Sequence, residues 1–198
     1  LETRLRNEAI SWDWLNEAGD AARSICNHSC LSDIVVVSKP GAGKPGAGSP
    51  QVASDVILRS RAPVLVVPEA SRGFDAGAPI AIAWNGSAEA CNAIRETLPL
   101  LRRAAAVTLL SVAEDSEYDL PAIEASTYLA RHGVASELVE LKRNSGPISD
   151  TLLDGASAQG AACLIAGAYG HSRLQENILG GVTRGLLQKA AIPLLFAH

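Results

Sequence analysis

A chain of 198 residues accommodates one or two domains, and 47% hydrophobic against 19% charged residues marks it as globular rather than disordered. A formal net charge of -4 gives no electrostatic case for nucleic acid, and apolar runs such as 34–37 and 64–67 fall far short of the ~18 residues of a membrane span. Four scattered cysteines (Cys26, Cys30, Cys91, Cys163) do not resemble a secreted disulfide framework, so a reducing, cytoplasmic setting is expected. No methionine occurs and the chain opens on Leu-Glu-Thr in helix-like sequence. The expectation is therefore that residues precede Leu1, and inspection leaves a signal peptide undecided.

In chain order, residues 8–15 read as a strand, and a helix carrying Cys26 and Cys30 follows Gly19-Asp20. An apolar strand near 33–38 leads into KPGAGKPGAGSP (39–50), a loop rich in Gly and Pro. Lys44 invites a phosphate reading there, but the loop lacks G-x4-G-K-S/T and its prolines interrupt any nest of amides, so a linker loop is expected. A helix and a strand introduced by Pro63 close this part, and 70–77 read as a linker. Residues 79–84 are a short apolar strand, and Ser87 is placed to cap a helix with Ala90, Ile94, Leu98 and Leu101 on one face. A strand at 106–112 and a helix at 121–132, stopped by Gly133, come next. Alternation over 134–141 predicts an edge or half-buried strand. Gly146-Pro147 then opens a helix with Ile148, Leu152 and Ala156 on one face. Strand 163–167, a glycine loop, a helix from Val182 and a strand at 192–197 complete the chain.

These elements repeat. A shift of 130 residues lays 33–40 on 163–170 and 62–68 on 192–198, and both segments read strand, helix, strand, glycine-or-proline loop, helix, Pro-initiated strand. The expected division is 1–69 as the rear half of a first domain, 70–77 as linker and 78–198 as a complete second domain. If complete, the first would start roughly fifty residues before Leu1. Alternating strands and helices imply an α/β fold: an open, parallel five-stranded sheet with helices on both faces, duplicated. Ligands of such sheets sit beyond the carboxyl ends of the strands, at the switch point.

The stretch GAYGHSRLQENILGGVT (167–183) lies where a strand hands over to a helix, a place rich in unpaired N–H groups where glycine lets an anion approach the backbone. Its spacing, G-x2-G-x9-G, together with the repeat and the element order, resembles the universal stress protein family. Gly167, Gly170 and Gly180 fall on that family's glycines, while Gly181 stands where the family has Ser or Thr. The resemblance implies a Rossmann-like fold of the adenine nucleotide alpha hydrolase type, whose better characterised members bind ATP. It implies that Ala83, Trp84, Asn85 and Val112 lie by adenine and ribose, and that Gly167 and Gly170 pass beneath ribose and phosphates. It further implies that Gly180, Gly181, Val182 and Thr183 supply amides and a hydroxyl to the phosphates, with Mg2+ accompanying the triphosphate. His171 and Arg173, just beyond Gly170, are candidates to meet a phosphate or remain at the surface.

Two departures count against a standard site. Asn85 replaces the family's adenine-contacting Asp, and Gly181 forfeits one hydroxyl, worth ~1 kcal/mol. In the first repeat Val37, Pro40, Pro50 and Gln51 replace the motif, and proline offers no N–H. Trp84 either stacks on a base or fills its slot. Cys26-x-His28-x-Cys30 lacks the second ligand pair of a structural zinc site, so packed or half-exposed thiols are expected and no protein metal site. Asp150 and Asp154 read as a solvated helix face, and no catalytic constellation appears.

The leading expectation is a regulatory module binding ATP or another adenine nucleotide in its second domain, with at most slow hydrolysis. Its rival is a nucleotide-free interaction module of the same family, and a nucleotidyl-transferring or pyrophosphatase-like enzyme is the weakest alternative. The resemblance also implies that the last strands of the two repeats pair into an internal pseudo-dimer, and it allows a homodimer beyond that.

Overall fold

The computed structural model describes residues 2–8, 10–39, 50–69, 71, 73–112, 120–143, 145–168 and 180–197. The first repeat supplies α1 (Glu2–Asn7), α2 (Ala21–His28), β1 (Val35–Lys39), α3 (Pro50–Arg59) and β2 (Val64–Pro68). The second supplies β3 (Ile80–Trp84), α4 (Ala88–Leu101), β4 (Val107–Val112), α5 (Ala122–Arg131), β5 (Glu137–Leu141), α6 (Ile148–Ala158), β6 (Cys163–Gly167), α7 (Gly181–Lys189) and β7 (Leu194–Ala197).

Local chemistry sets these boundaries. Asp20 caps α2 by accepting from the Arg23 N–H at 2.8 Å, and Ser87 caps α4 by accepting from the Ala90 N–H at 3.2 Å. Gly133 takes φ +79° just past α5, a conformation costly for any residue with a Cβ. Pro147 stands at the N-cap of α6, its fixed φ turning the chain into the helix.

All seven strands join one sheet, ordered β1-β2-β7-β6-β3-β4-β5. Every neighbouring pair is parallel except β2 and β7, which run antiparallel. Leu65 lies opposite Leu195, while Val64 faces Phe196 and Val66 faces Leu194, so the 130-residue shift becomes a local two-fold about Leu65 and Leu195. Helices α2, α3, α6 and α7 cover one face over Val37, Val64, Leu164 and Phe196. On the other, α4 and α5 pack over Ile82, Leu109, Ile165 and Leu195.

The two repeats are not equally covered. Cys163 and Ile165 are 1% and 0% exposed beneath α4, whereas Ile34 and Val36 on the same face of the first repeat are 41% and 61% exposed. Here β1 pairs with β2 alone among the described strands.

Several expectations need correcting. The described part of 8–15 forms no strand: Glu8 is in a turn and 10–18 have no regular structure. A strand needs a neighbour to satisfy its backbone, and among the described residues the first repeat offers no counterpart of β4. The edge strand begins at Glu137 rather than 134 and, among the described strands, pairs with β4 alone. Cys30 lies two residues beyond the end of α2. In addition, Ser38 pairs with Val67 as Gly167 pairs with Ala197, so Ser38, not Val37, is the counterpart of Gly167. The crossover from β1 to β2 is one residue shorter than that from β6 to β7, a slip that the 130-residue shift does not reveal.

Residues 10–18 are tied to α2 through Glu17, whose carboxylate accepts from Ser24 Oγ and bonds His28 Nε2 at 2.6 Å. Hydrogen bonds from Ser24 and then His28 hold the Glu17 carboxyl below its ordinary 4.5. A carboxyl depressed in the folded state contributes above 4.5, and that contribution is lost as pH falls through the lower, folded value. Trp14, 71% exposed, sits in this strap, and its fluorescence should change at a pH below 4.5 in the native chain but not in Glu17→Gln.

Candidate site at the carboxyl edge of the second repeat

Strands β3, β4 and β5 run outward in sequence order, while β6 and β7 lie on the other side of β3. The order therefore reverses between β3 and β6, the place where a sheet of this kind opens a crevice beyond its strand ends. Registers bring together Ala83, opposite Ala166, and Trp84, opposite Ser111, with Val112 one residue beyond. Gly167 ends β6 beside Ala197. Of the anticipated site residues, Ala83, Trp84, Asn85, Val112, Gly167 and the start of α7 thus share one edge of the sheet. Gly170, His171 and Arg173 lie outside the described residues, as do 40–49 of the first repeat's loop.

Gly167 meets α4 with almost no clearance. A Cβ there would lie 2.6 Å from the Ala90 nitrogen and 2.6 Å from the Glu89 carbonyl carbon. The first turn of α4 therefore rests on the end of β6, held by Ser87, and this contact fixes one wall of the crevice. Glu89, 7% exposed, is buried at that wall; in sequence it reads as an ordinary first-turn acid, and nothing in its spacing signals burial. Gly180 and Gly181 are the opposite case, since a Cβ at either would meet nothing within 4 Å.

Asn85 Oδ1 accepts from the Ser87 N–H at 3.2 Å, and Gly86 takes φ +77°. This turn carries the chain from β3 into α4. The indole of Trp84 is 5% exposed, packs with Ile82 and Ala93 on the α4 side, and donates its N–H to the Leu120 carbonyl at 3.3 Å. Of the two roles open to Trp84, this burial leaves little of the ring for stacking on a base. The ring is a strut under the start of α5, and its backbone alone lies at the strand end.

Helix α7 begins at Gly181 with Gly180 at the N-cap and no side-chain cap, and its first intrahelical bond runs from the Arg184 N–H to the Gly180 carbonyl at 3.0 Å. The amides of Gly181, Val182 and Thr183 precede that bond and have no partner within the helix. Thr183 is 6% exposed and shares the buried face with Leu186 and Leu187, so it offers an anion its amide more readily than its hydroxyl. At the far end, Lys39 of β1 donates to the carbonyls of Gln188 and Ala190, both at 3.0 Å. Burial lowers the pKa of this ammonium. Lys39 opens the Gly- and Pro-rich loop 39–50, but what brings it to α7 is its place as the last residue of a strand.

The universal stress protein family profile matches residues 78–198, the whole second repeat. The chain belongs to the universal stress protein family. Among solved structures, a universal stress protein from Archaeoglobus fulgidus DSM 4304 is 15% identical over 98% of this chain and 72% of its own, with a TM-score of 0.76. A functionally unknown protein from Pseudomonas aeruginosa PAO1 is 14% identical over 99% of this chain and 74% of its own, at 0.62. At these identities both speak for the fold, which is Rossmann-like and spans both repeats. A universal stress protein in complex with cAMP is 15% identical over 63% of this chain and 99% of its own, at 0.47. A comparison with the curated proteins finds no match.

Several other reactive side chains of this universal stress protein are, among the described residues, buried or engaged elsewhere. His28 is engaged with Glu17, Cys30 is exposed and donates its S–H to the Cys26 carbonyl at 3.5 Å, and Cys26 is half-buried. Among the described residues no group of three or more His, Cys, Asp or Glu could hold a metal ion. Cys163 is the first residue of β6, and burial pushes its thiol up to about 12. Asp150 pairs with Lys189 at 2.6 Å in an exposed ion pair of α6 and α7. No described helix is long and apolar enough to cross a membrane.

Proposed function

We propose that this universal stress protein binds ATP, or another adenine nucleotide, in its second repeat and acts as a stress-response regulatory module rather than through turnover. The observation that carries the reading is the start of α7, where Gly180 at the N-cap makes no side-chain cap bond and a Cβ at Gly180 or Gly181 would meet nothing within 4 Å among the described residues, beside the reversal in strand order. In this reading Ala83, the backbone of Trp84, Asn85 and Val112 flank adenine and ribose, and Gly167 and Gly170 lie beneath ribose and phosphates. The amides of Gly180, Gly181, Val182 and Thr183, with His171 and Arg173, take the phosphate charge. Mg2+ comes with the triphosphate. Hydrolysis is slow, because no Walker lysine or water-orienting group stands in the sequence. Residues 1–69 and 78–198 act as two domains joined by 70–77 and paired through β2 and β7 as an internal pseudo-dimer. Four free cysteines support a cytosolic setting.

The reading is tested by thermal unfolding of nucleotide-free protein with Mg2+ and ATP, where ligand at about 100 times its Kd should add ~2.7 kcal/mol. Gly181→Ser restores the family hydroxyl in open space, and it should tighten ATP by ~1 kcal/mol, about fivefold. No shift in either protein at millimolar ATP favours the second reading, a nucleotide-free interaction module. Asn85, Gly181 and the lost glycines of the first repeat support that alternative.

A further inference from the structure

Lys39 is the one described side chain that reaches from the first repeat to the terminal carbonyls of α7, the helix whose other end forms the proposed anion seat. Its two bonds span 149 and 151 residues of sequence, and the side chain is half-buried on the way. A lysine ammonium suits this place, since the last carbonyls of a helix lack partners within it and carry its partial negative charge. The link has no mirror image. Ser38 is the counterpart of Gly167, so the counterpart of Lys39 is Ala168, whose methyl cannot return the bond across the two-fold.

Helix α7 is a short rod of nine residues. Its middle rests on α6 at Gly185, where a Cβ would meet Ser149 Oγ, and its buried face is Thr183, Leu186 and Leu187. The Lys189 pair with Asp150 at the same end is exposed and correspondingly weak. Lys39 is therefore the polar contact that ties the carboxyl end of α7 to the first repeat, beside the apolar packing of Leu187 and Ala190 in the core the two repeats share, and a tilt there displaces the amides of Gly181 to Thr183 at the other end.

We propose that Lys39 is a positioning residue through which the first repeat, stripped of its own glycine motif, regulates nucleotide affinity in the second. The regulatory arm rests on the nucleotide reading above; the link itself does not. In the full chain, Lys39→Met should weaken binding of Mg2+-ATP about three- to tenfold by calorimetry, and amide hydrogen exchange in α7 should quicken while that in α5 is unchanged. Lys39→Arg, which keeps charge and donors, should recover most of both effects. Ile57→Val, a buried change in α3, is the control for lost stability and should leave ATP affinity within about twofold. Should Lys39→Met fail to fold, Lys39→Gln carries the same test.

Unchanged ATP affinity in Lys39→Met, or an equal loss in Ile57→Val, would overturn the regulatory role. If the native chain binds no ATP, the nucleotide reading fails instead. Hydrogen exchange then still decides the link, since α7 amides exchanging at the native rate without the Lys39 ammonium would show that it holds nothing.

Discussion

Gly167→Ala is expected to lower stability by about 2–3 kcal/mol, read as a fall of about 4–12 °C in Tm for a chain of this size. The atoms an added methyl would strike are the Ala90 nitrogen and the Glu89 carbonyl carbon, both backbone, so no rotamer change relieves the contact. Instead α4 would have to lift from β6, carrying Ser87 and the Asn85 turn with it. Nucleotide affinity should fall in the same variant, because the crevice wall moves. The control is Gly181→Ala, where the new methyl meets nothing within 4 Å and stability should hold or rise by up to ~1 kcal/mol. If both alanines behave alike in urea titrations, the close approach of α4 to β6 is not what limits Gly167.

Phe196→Ala should cost about 3–5 kcal/mol and should lower a single calorimetric transition rather than split it. Phe196 is 1% exposed on β7, faces Val64 across the antiparallel seam and packs in the same core as Val37, Ile57 and Leu152. That core takes residues from both repeats, so their unfolding is coupled. Two resolved transitions, with only the later one moved by the substitution, would show instead that the repeats melt as independent units.

The second repeat was almost fully legible in the sequence because each element carried its own local signal. Ser87 before an apolar face, Gly133 after one and Pro147 at a helix start are such signals, and the structure places caps and turns at those positions. The segment 8–15 misled because the order of elements in a repeat states only which element is expected, and a strand exists only where a neighbour accepts its hydrogen bonds. The register of β1 was missed by one residue because both alignments keep apolar residues in a row, and only pairing with β2 decides between them.

In the candidate site, glycine spacing indicated where backbone must stay bare but not against what. At Gly180 and Gly181 the bareness opens to space, while at Gly167 it admits a helix. Trp84 was ambiguous for a related reason. Its place at the end of β3 was readable, and alternation puts its ring on the side of Ile80 and Ile82, but the partner of its N–H is the Leu120 carbonyl, 36 residues away. Glu89 and Lys39 were invisible as special residues, since their partners or neighbours come from other elements.

The antiparallel seam has a geometrical consequence. With β2 and β7 running head to tail, the strands of the two repeats finish on opposite rims of the sheet. Lys39 therefore stands behind α7, at the trailing end of a helix whose leading end faces the crevice. The first repeat and the nucleotide proposed for that crevice would consequently hold the same helix from its two ends without competing for space.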